Sequence, residues 1–289
     1  MSGSKTFETP EAIAVTLSLN VADVRISAGE RIDTVVTITP NYASRKADVE
    51  AAEQTRVEFA GGRLLVKAPR SWKQYTPFGG RESVHVSIEL PTASSVEGEA
   101  WAGDLSCIGT LGECRYTTGA GEIRLERVGP TQVSTGAGRV SVDVAEGKSE
   151  ITGSGQMRLG ELNGPAVVKN HNGAIWIGLA ADDLRCSSSN GDISIDRALG
   201  AVEARTANGD VRVGEVVRGT VAVKTAYGRL EIGIREGTAA LLDVSSSFGR
   251  VENSLRASNG PQPSDETVQL RARTSYGDIV IHRSREAAQ

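Results

Sequence analysis

A short phrase returns ten times in the last two-thirds of this chain: a small polar residue, two spacers, glycine, any residue, then aliphatic, polar, aliphatic. Thr206-Ala-Asn-Gly-Asp-Val-Arg-Val213 and Thr225-Ala-Tyr-Gly-Arg-Leu-Glu-Ile232 are consecutive copies. The glycines are Gly103, Gly121, Gly138, Gly155, Gly173, Gly191, Gly209, Gly228, Gly249 and Gly277. The first six steps are 17 or 18 residues, and the last three are 19, 21 and 28. A near-fixed period this short makes each copy one structural unit that stacks on its neighbours.

Aligned on the glycine, each position becomes a column. Two residues after it stand Leu105, Ile123, Val140, Met157, Ile175, Ile193, Val211, Leu230, Val251 and Ile279, all apolar. Four after it, only Asn253 interrupts an apolar series. The residues between are mostly polar, so the segment alternates with period two and reads as a strand. A second strand precedes the glycine, with apolar columns seven and five before it and Lys169, Arg205, Lys224 and Arg273 pointing outward. Each repeat is therefore strand, glycine corner, strand, turn.

A row of antiparallel hairpins would not align equivalent residues from repeat to repeat, whereas in-register parallel stacking does. The expected fold is all-β: a parallel β-helix of about ten rungs, mostly 17–19 residues each. One rung buries too few side chains to offset the entropy of ordering it, so the array folds only as a stack. Residues 96–283 are expected to form the repeats and 284–289 a polar tail. Residues 1–95 read as a β-rich cap, with rung-like strands at Val21–Ile26 and Gly62–Val66 and a short helix within Ser44–Gln54.

One corner column and one loop carry the candidate interaction residues. Asn172, Asn190 and Asn208 precede the glycine in three copies, and Tyr227, Phe248 and Tyr276 precede it in three later ones. Asn-Gly suits a left-handed corner, and stacked amides can bond rung to rung. The aromatic series either stabilises the corner in the same way or offers an exposed strip to a partner. A second candidate is the loop Arg70–Arg81, which sets Trp72, Tyr75 and Phe78 among cations and either seals the core or binds a partner. Ser254–Glu266 reads as a surface excursion. The last rung, ending at Ile281, has no obvious cover and is expected to favour end-to-end self-association.

The other signals are mostly exclusions. Net charge is −4, without the basic excess of a nucleic-acid binder. No stretch is apolar enough to span a bilayer, and the first residues lack the pattern of a secretory signal. Cys107, Cys114 and Cys186 are an odd set without metal spacing and read as reduced thiols. A cytoplasmic, soluble protein is the expectation. His85, His171 and His282 match no metal motif, and no cofactor-binding motif is present. Asp192 and Asp210, followed by Arg229 and Arg250, could form a carboxylate site of the polysaccharide-active kind. A solvated edge with rung-to-rung ion pairs describes them more simply. A threonine column (Thr118, Thr135, Thr152, Thr206, Thr225, Thr274) is similar to ice-binding arrays, but Lys and Arg neighbours spoil a flat, uncharged face.

The T-x-x-G-[D/E/R]-[I/V/L]-x-[I/V/L] phrase, after an N-terminal β region ending in Ile88-Glu-Leu-Pro91, resembles the bacterial β-strand-repeat "putative adhesin" family, a domain of unknown function. The resemblance runs from about Ile13 to Ile281. It implies surface adhesion and supplies no catalytic residues. The function expected is a non-enzymatic scaffold or protein-interaction protein that binds a protein or itself. The alternatives are an adhesin-like or carbohydrate-binding protein, and then a β-helix polysaccharide-active enzyme.

Overall fold

The computed structural model describes residues 3–69, 82–256 and 266–284. They form strands throughout, with one helix, Lys46–Gln54. The chain divides into two compact units, Met1–Val142 and Asp143–Gln289. Each is a parallel β-helix.

In the second unit, Ala166–Asn172 turns at Gly173 into Ile175–Ala180, and the next rung repeats this as Leu184–Asn190 and Ile193–Ala198. Both strands pair in parallel with their counterparts one repeat later, Val168 opposite Cys186 and Ile177 opposite Ile195. The four apolar columns read from sequence point inward and are buried, as Leu184, Cys186, Ile193 and Ile195 show.

The interior holds two further columns. A bend at Gly160, Gly178, Asp196 and Gly214 shifts the alternation by one residue, so Leu162, Ala180, Ala198 and Val216 also turn inward and are buried. The second is the threonine column, which the ice-binding comparison required to be external. Thr206, Thr225 and Thr274 are buried. Their hydroxyls donate to the carbonyls of Gly191, Gly209 and Gly228 at 3.1, 3.0 and 3.1 Å, each on the preceding rung of the stack. Thr135 does the same to Gly121 in the first unit, at 3.0 Å. A buried hydroxyl needs such a partner, and the corner carbonyl is within reach. Thr152 alone leaves the column: it pairs with Lys169, and Gly153 takes the inward place opposite Asn170. Asn170 fills the space, donating to Gly155 and Gly173 carbonyls at 2.8 Å each.

The corner glycines stack backbone against backbone. At Gly228 (φ 152°) an added Cβ would overlap the Gly209 carbonyl oxygen, and the backbone angle is one that L-residues avoid.

The rungs do not stack in sequence order at the far end of this unit. Gly219–Tyr227 pairs with Thr267–Tyr276, and Thr267–Tyr276 pairs in turn with Ala239–Phe248. The following strands agree: Leu230–Ile234 pairs with Ile279–Arg283, which pairs with Val251–Asn253. The last rung in sequence is thus internal, and Ala239–Asn253 is outermost. The open rung expected at Ile281 is corrected accordingly: Ile279 and Ile281 are fully buried.

The first unit repeats the device at its own end. Ala14–Ser18 pairs in parallel with both Arg63–Lys67 and Ser95–Ala102, and Val21–Gly29 with both Ser83–Pro91 and Leu105–Leu111. The first rung in sequence therefore lies between the second and the third. Its outer neighbours are covered by antiparallel strands: Asp33–Pro40 on Ser83–Pro91, Gly3–Glu8 on Asp33–Pro40, and Arg56–Ala60 on Arg63–Lys67. The helix is tied down by buried Asp48, whose carboxylate accepts the amides of Tyr42 and Ser83 at 3.1 Å each.

Candidate interaction surface

The outer corner of the second unit carries one continuous ladder. Asn208 donates to the Asn190 side chain at 2.9 Å, and Asn190 to Asn172 at 3.2 Å. Asn208 is in register with Tyr227, Tyr227 with Tyr276, and Tyr276 with Phe248. The rings stack as the amides bond. Tyr227 and Tyr276 have centroids 5.0 Å apart with planes 2° from parallel, and Phe248 lies 4.8 Å beyond at 9°. In-register stacking forces this contact, because the same position on each rung is set at about the strand spacing of 4.8 Å. The rings remain exposed, at 57% for Tyr227, 47% for Tyr276 and 66% for Phe248. The arrangement therefore does both things weighed from sequence: it stabilises the corner, and it leaves an apolar strip in solvent.

Phe248 ends the ladder and belongs to the outermost rung. There the inward residues Leu242 and Val244 are only half-buried, although Leu270 and Ala272 in the same columns of the next rung are covered. Leu241 and Val251 are exposed, at 66% and 43%. A cleft of about 790 Å³ opens beside this rung, lined in part by Leu241, Leu242, Leu255 and Val268. Sequence reading located Phe248 but missed Leu241, Leu242, Val244 and Val251. The signal was present: Asn253 is the one polar residue in its column, and it lies on the rung that no other described rung covers.

Trp72, Tyr75 and Phe78 lie outside the described residues, as does most of the Ser254–Glu266 segment.

The corner aspartates serve the backbone. Asp192 accepts the Asp210 amide at 2.8 Å, Asp210 the Arg229 amide at 2.7 Å, and Asp278 the Arg250 amide at 2.8 Å. Each carboxylate thereby fixes the corner of the adjoining rung. Nearby side chains form exposed pairs, such as Arg212 with Glu231 at 3.6 Å and Arg197 with Glu215 at 2.9 Å. Trp176 sits under Arg158, 4.4 Å from ring centre to guanidinium, and donates to Asp196 at 3.1 Å. Among the described residues no group of three or more His, Cys, Asp or Glu could hold a metal ion, and no helix is long and apolar enough to cross a membrane. The three cysteines are free and buried. Desolvation pushes the Cys114 and Cys186 thiols up to about 12 and Cys107 well above its usual value.

Stacked rungs, glycine corners and side-chain ladders define a parallel β-helix repeat protein. The family model Toastrack DUF4097 matches residues 13–289, and the chain belongs to that family. Solved structures similar to it include a "putative adhesin" of Bacteroides fragilis, 11% identical, with 97% of each chain covered and a TM-score of 0.37. Another is a "putative adhesin" of Parabacteroides merdae, 12% identical, covering 97% of this chain and 95% of that one, with a TM-score of 0.34. A "putative lipid binding protein" of Parabacteroides distasonis is 10% identical, covers 98% and 97%, and has a TM-score of 0.26. These TM-scores are too low to carry geometry from one protein to another. No curated protein matches the chain.

Proposed function

We propose that this chain is a non-enzymatic, adhesin-like scaffold that assembles through its outermost rung, with a second copy as the occupant. The observation that carries the reading is the state of Ala239–Phe248. Its inner edge pairs with Thr267–Tyr276, its outer edge has no strand partner among the described residues, and its inward side chains are half-covered. An exposed strand edge with apolar side chains is a template for another strand. A second copy presents the same alternation and completes the same columns. The corner aspartates support the non-enzymatic part, since their carboxylates already hold backbone amides. The three buried free thiols suit a reducing compartment, which keeps the cytoplasmic reading in the proposal.

Sedimentation velocity from 1 to 100 µM (about the range where a weak contact shows) tests the assembly. Association that disappears in Val244→Lys or Val251→Lys supports it. A monomer across the whole range sinks it.

A further inference from the structure

The outward face of the second unit's corner-entry sheet is basic. Lys169, Arg205, Lys224 and Arg273 fall in one register column, joined through Ser187. Arg185 and Arg271 stand two residues earlier on their strands. Against these six cations the same sheet presents Glu150, Glu203 and Asp243. Glu203 is shared by Arg185 and Arg205, and Asp243 holds Arg273 at 3.1 Å. Lys169, Lys224 and Arg271 have no ion-pair partner among the described residues. A whole chain of net charge −4 has thus collected a positive excess on one face. The opposite sheet of the unit is balanced, with Arg197 and Arg212 paired to Glu215 and Glu231.

Beside the cation column, two residues further along, the surface carries the small side chains of exposed Ser189, Ala207 and Ser275, with His171 at the Lys169 end. Beyond them the amide-and-aromatic ladder forms a wall. The result is a track on which Arg205, Lys224 and Arg273 follow one another at about 4.8 Å per rung, with Lys169 one rung further on past Ser187.

We infer that this track binds a linear acidic polysaccharide. Its carboxylates would lie along the lysine and arginine column, where summed charge focuses attraction. The sugar hydroxyls would meet the asparagine ladder, which keeps one amide hydrogen free on Asn190 after donating to Asn172. Nucleic acid fits less well. Single strands bind by stacking bases on successive aromatic faces, and here Tyr276 is stacked on both faces and Tyr227 and Phe248 on one each, so the strip offers no run of open faces. The inference does not depend on assembly through the outermost rung, so either can fail alone.

The test measures binding of the full chain to polygalacturonate, dextran and single-stranded DNA by biolayer interferometry, at low and high salt. Polygalacturonate is expected to bind, several-fold more weakly at high salt as surface charge is screened; dextran is expected not to bind, and DNA to bind more weakly. Lys169→Glu with Lys224→Glu, which breaks no ion pair, is expected to cost at least about ten-fold. Arg197→Glu with Arg212→Glu makes the same change in net charge on the other sheet and is expected to cost under about three-fold. Circular dichroism confirms that both variants fold. The inference is overturned if the wild-type chain ignores polygalacturonate at low salt, if both pairs of substitutions lose equally, or if DNA binds as tightly.

Discussion

Tyr116 pairs with Gly98 across neighbouring strands, an oversized inward side chain against an absent one. On the other side of Gly98 stands Leu17, whose Cβ would lie 2.6 Å from a Cβ placed on the glycine. The phenol ring is buried, and its hydroxyl has no hydrogen-bond partner among the described residues. Shape therefore explains Tyr116 and polarity does not. Tyr116→Phe is expected to hold or raise stability by about 1 kcal/mol, since it removes an unsatisfied buried oxygen. Gly98→Ala is expected to lower it by about 1–3 kcal/mol through overpacking. Urea denaturation of both variants checks the pair, and a large loss for Tyr116→Phe would show a hidden partner.

The buried thiols set an alkaline limit. An unfolded cysteine ionises near its ordinary value of 9.0, but burial makes Cys114 and Cys186 hold their protons to about 12 in the fold. Well below pH 9 both states are protonated and the thiols add no pH dependence to stability. Between 9 and 12 the unfolded state binds fewer protons than the folded one, so stability falls as pH rises, by up to about 1.4 kcal/mol per pH unit for each thiol. Cys186→Ala is expected to flatten that slope while costing stability at pH 7. Denaturation midpoints at pH 7, 9 and 10.5 measure both effects.

Two glycines with positive φ should behave very differently. Gly228 faces the Gly209 backbone, whereas a Cβ on Gly237 (φ 79°) would meet nothing within 4 Å. Gly237→Ala pays only the strained backbone, about 1 kcal/mol. Gly228→Ala must also push two rungs apart, and a loss above about 3 kcal/mol is expected. Thermal melts of the two variants separate backbone preference from close approach.

Much of this fold was legible because the repeat is strict where side chains face a neighbour on each side. The columns led by Ile193 and Ile195 and the ladder from Asn172 to Tyr227 could be read position by position. Three features were not. The bend at Gly178 shifts the alternation by one residue, and so hid Ala180 from a period-two reading. Thr206 looks external because hydroxyls usually seek water, but its bond to the Gly191 carbonyl lies in the third dimension. Rung order is invisible to a periodic pattern: nothing local to Ile281 says that its strand inserts before Val251–Asn253. The 28-residue step to Gly277 and the polar Asn253 are the traces of that insertion in the sequence.

Buried and exposed amides of the same type should contribute unequally. Asn170 gives both its donors to corner carbonyls inside the stack, while Asn190 bonds in solvent. Asn190→Ala removes two exposed bonds, to Asn172 and from Asn208, whose groups water can then serve, and is expected to cost about 0.5–1 kcal/mol. Asn170→Ala leaves two carbonyls without that donor and a void over Gly153, so about 2–4 kcal/mol is expected. Similar costs in urea titration would mean that water enters the vacated site.

The aromatic ladder lets stacking be separated from docking. Tyr276 touches a ring on each side, and Phe248 touches one and exposes the other face. If the ladder only stabilises the corner, loss of stability should follow the number of stacked pairs. Tyr276→Ala should then cost roughly twice what Phe248→Ala costs, at about 0.5–1.5 kcal/mol per pair. If Phe248 also meets a second copy, its substitution should weaken association more than Tyr276→Ala does, while costing less stability. Melting temperature and sedimentation, measured on the same two variants, give opposite rank orders under docking. They give the same order, or no association to lose, if the strip is only a corner.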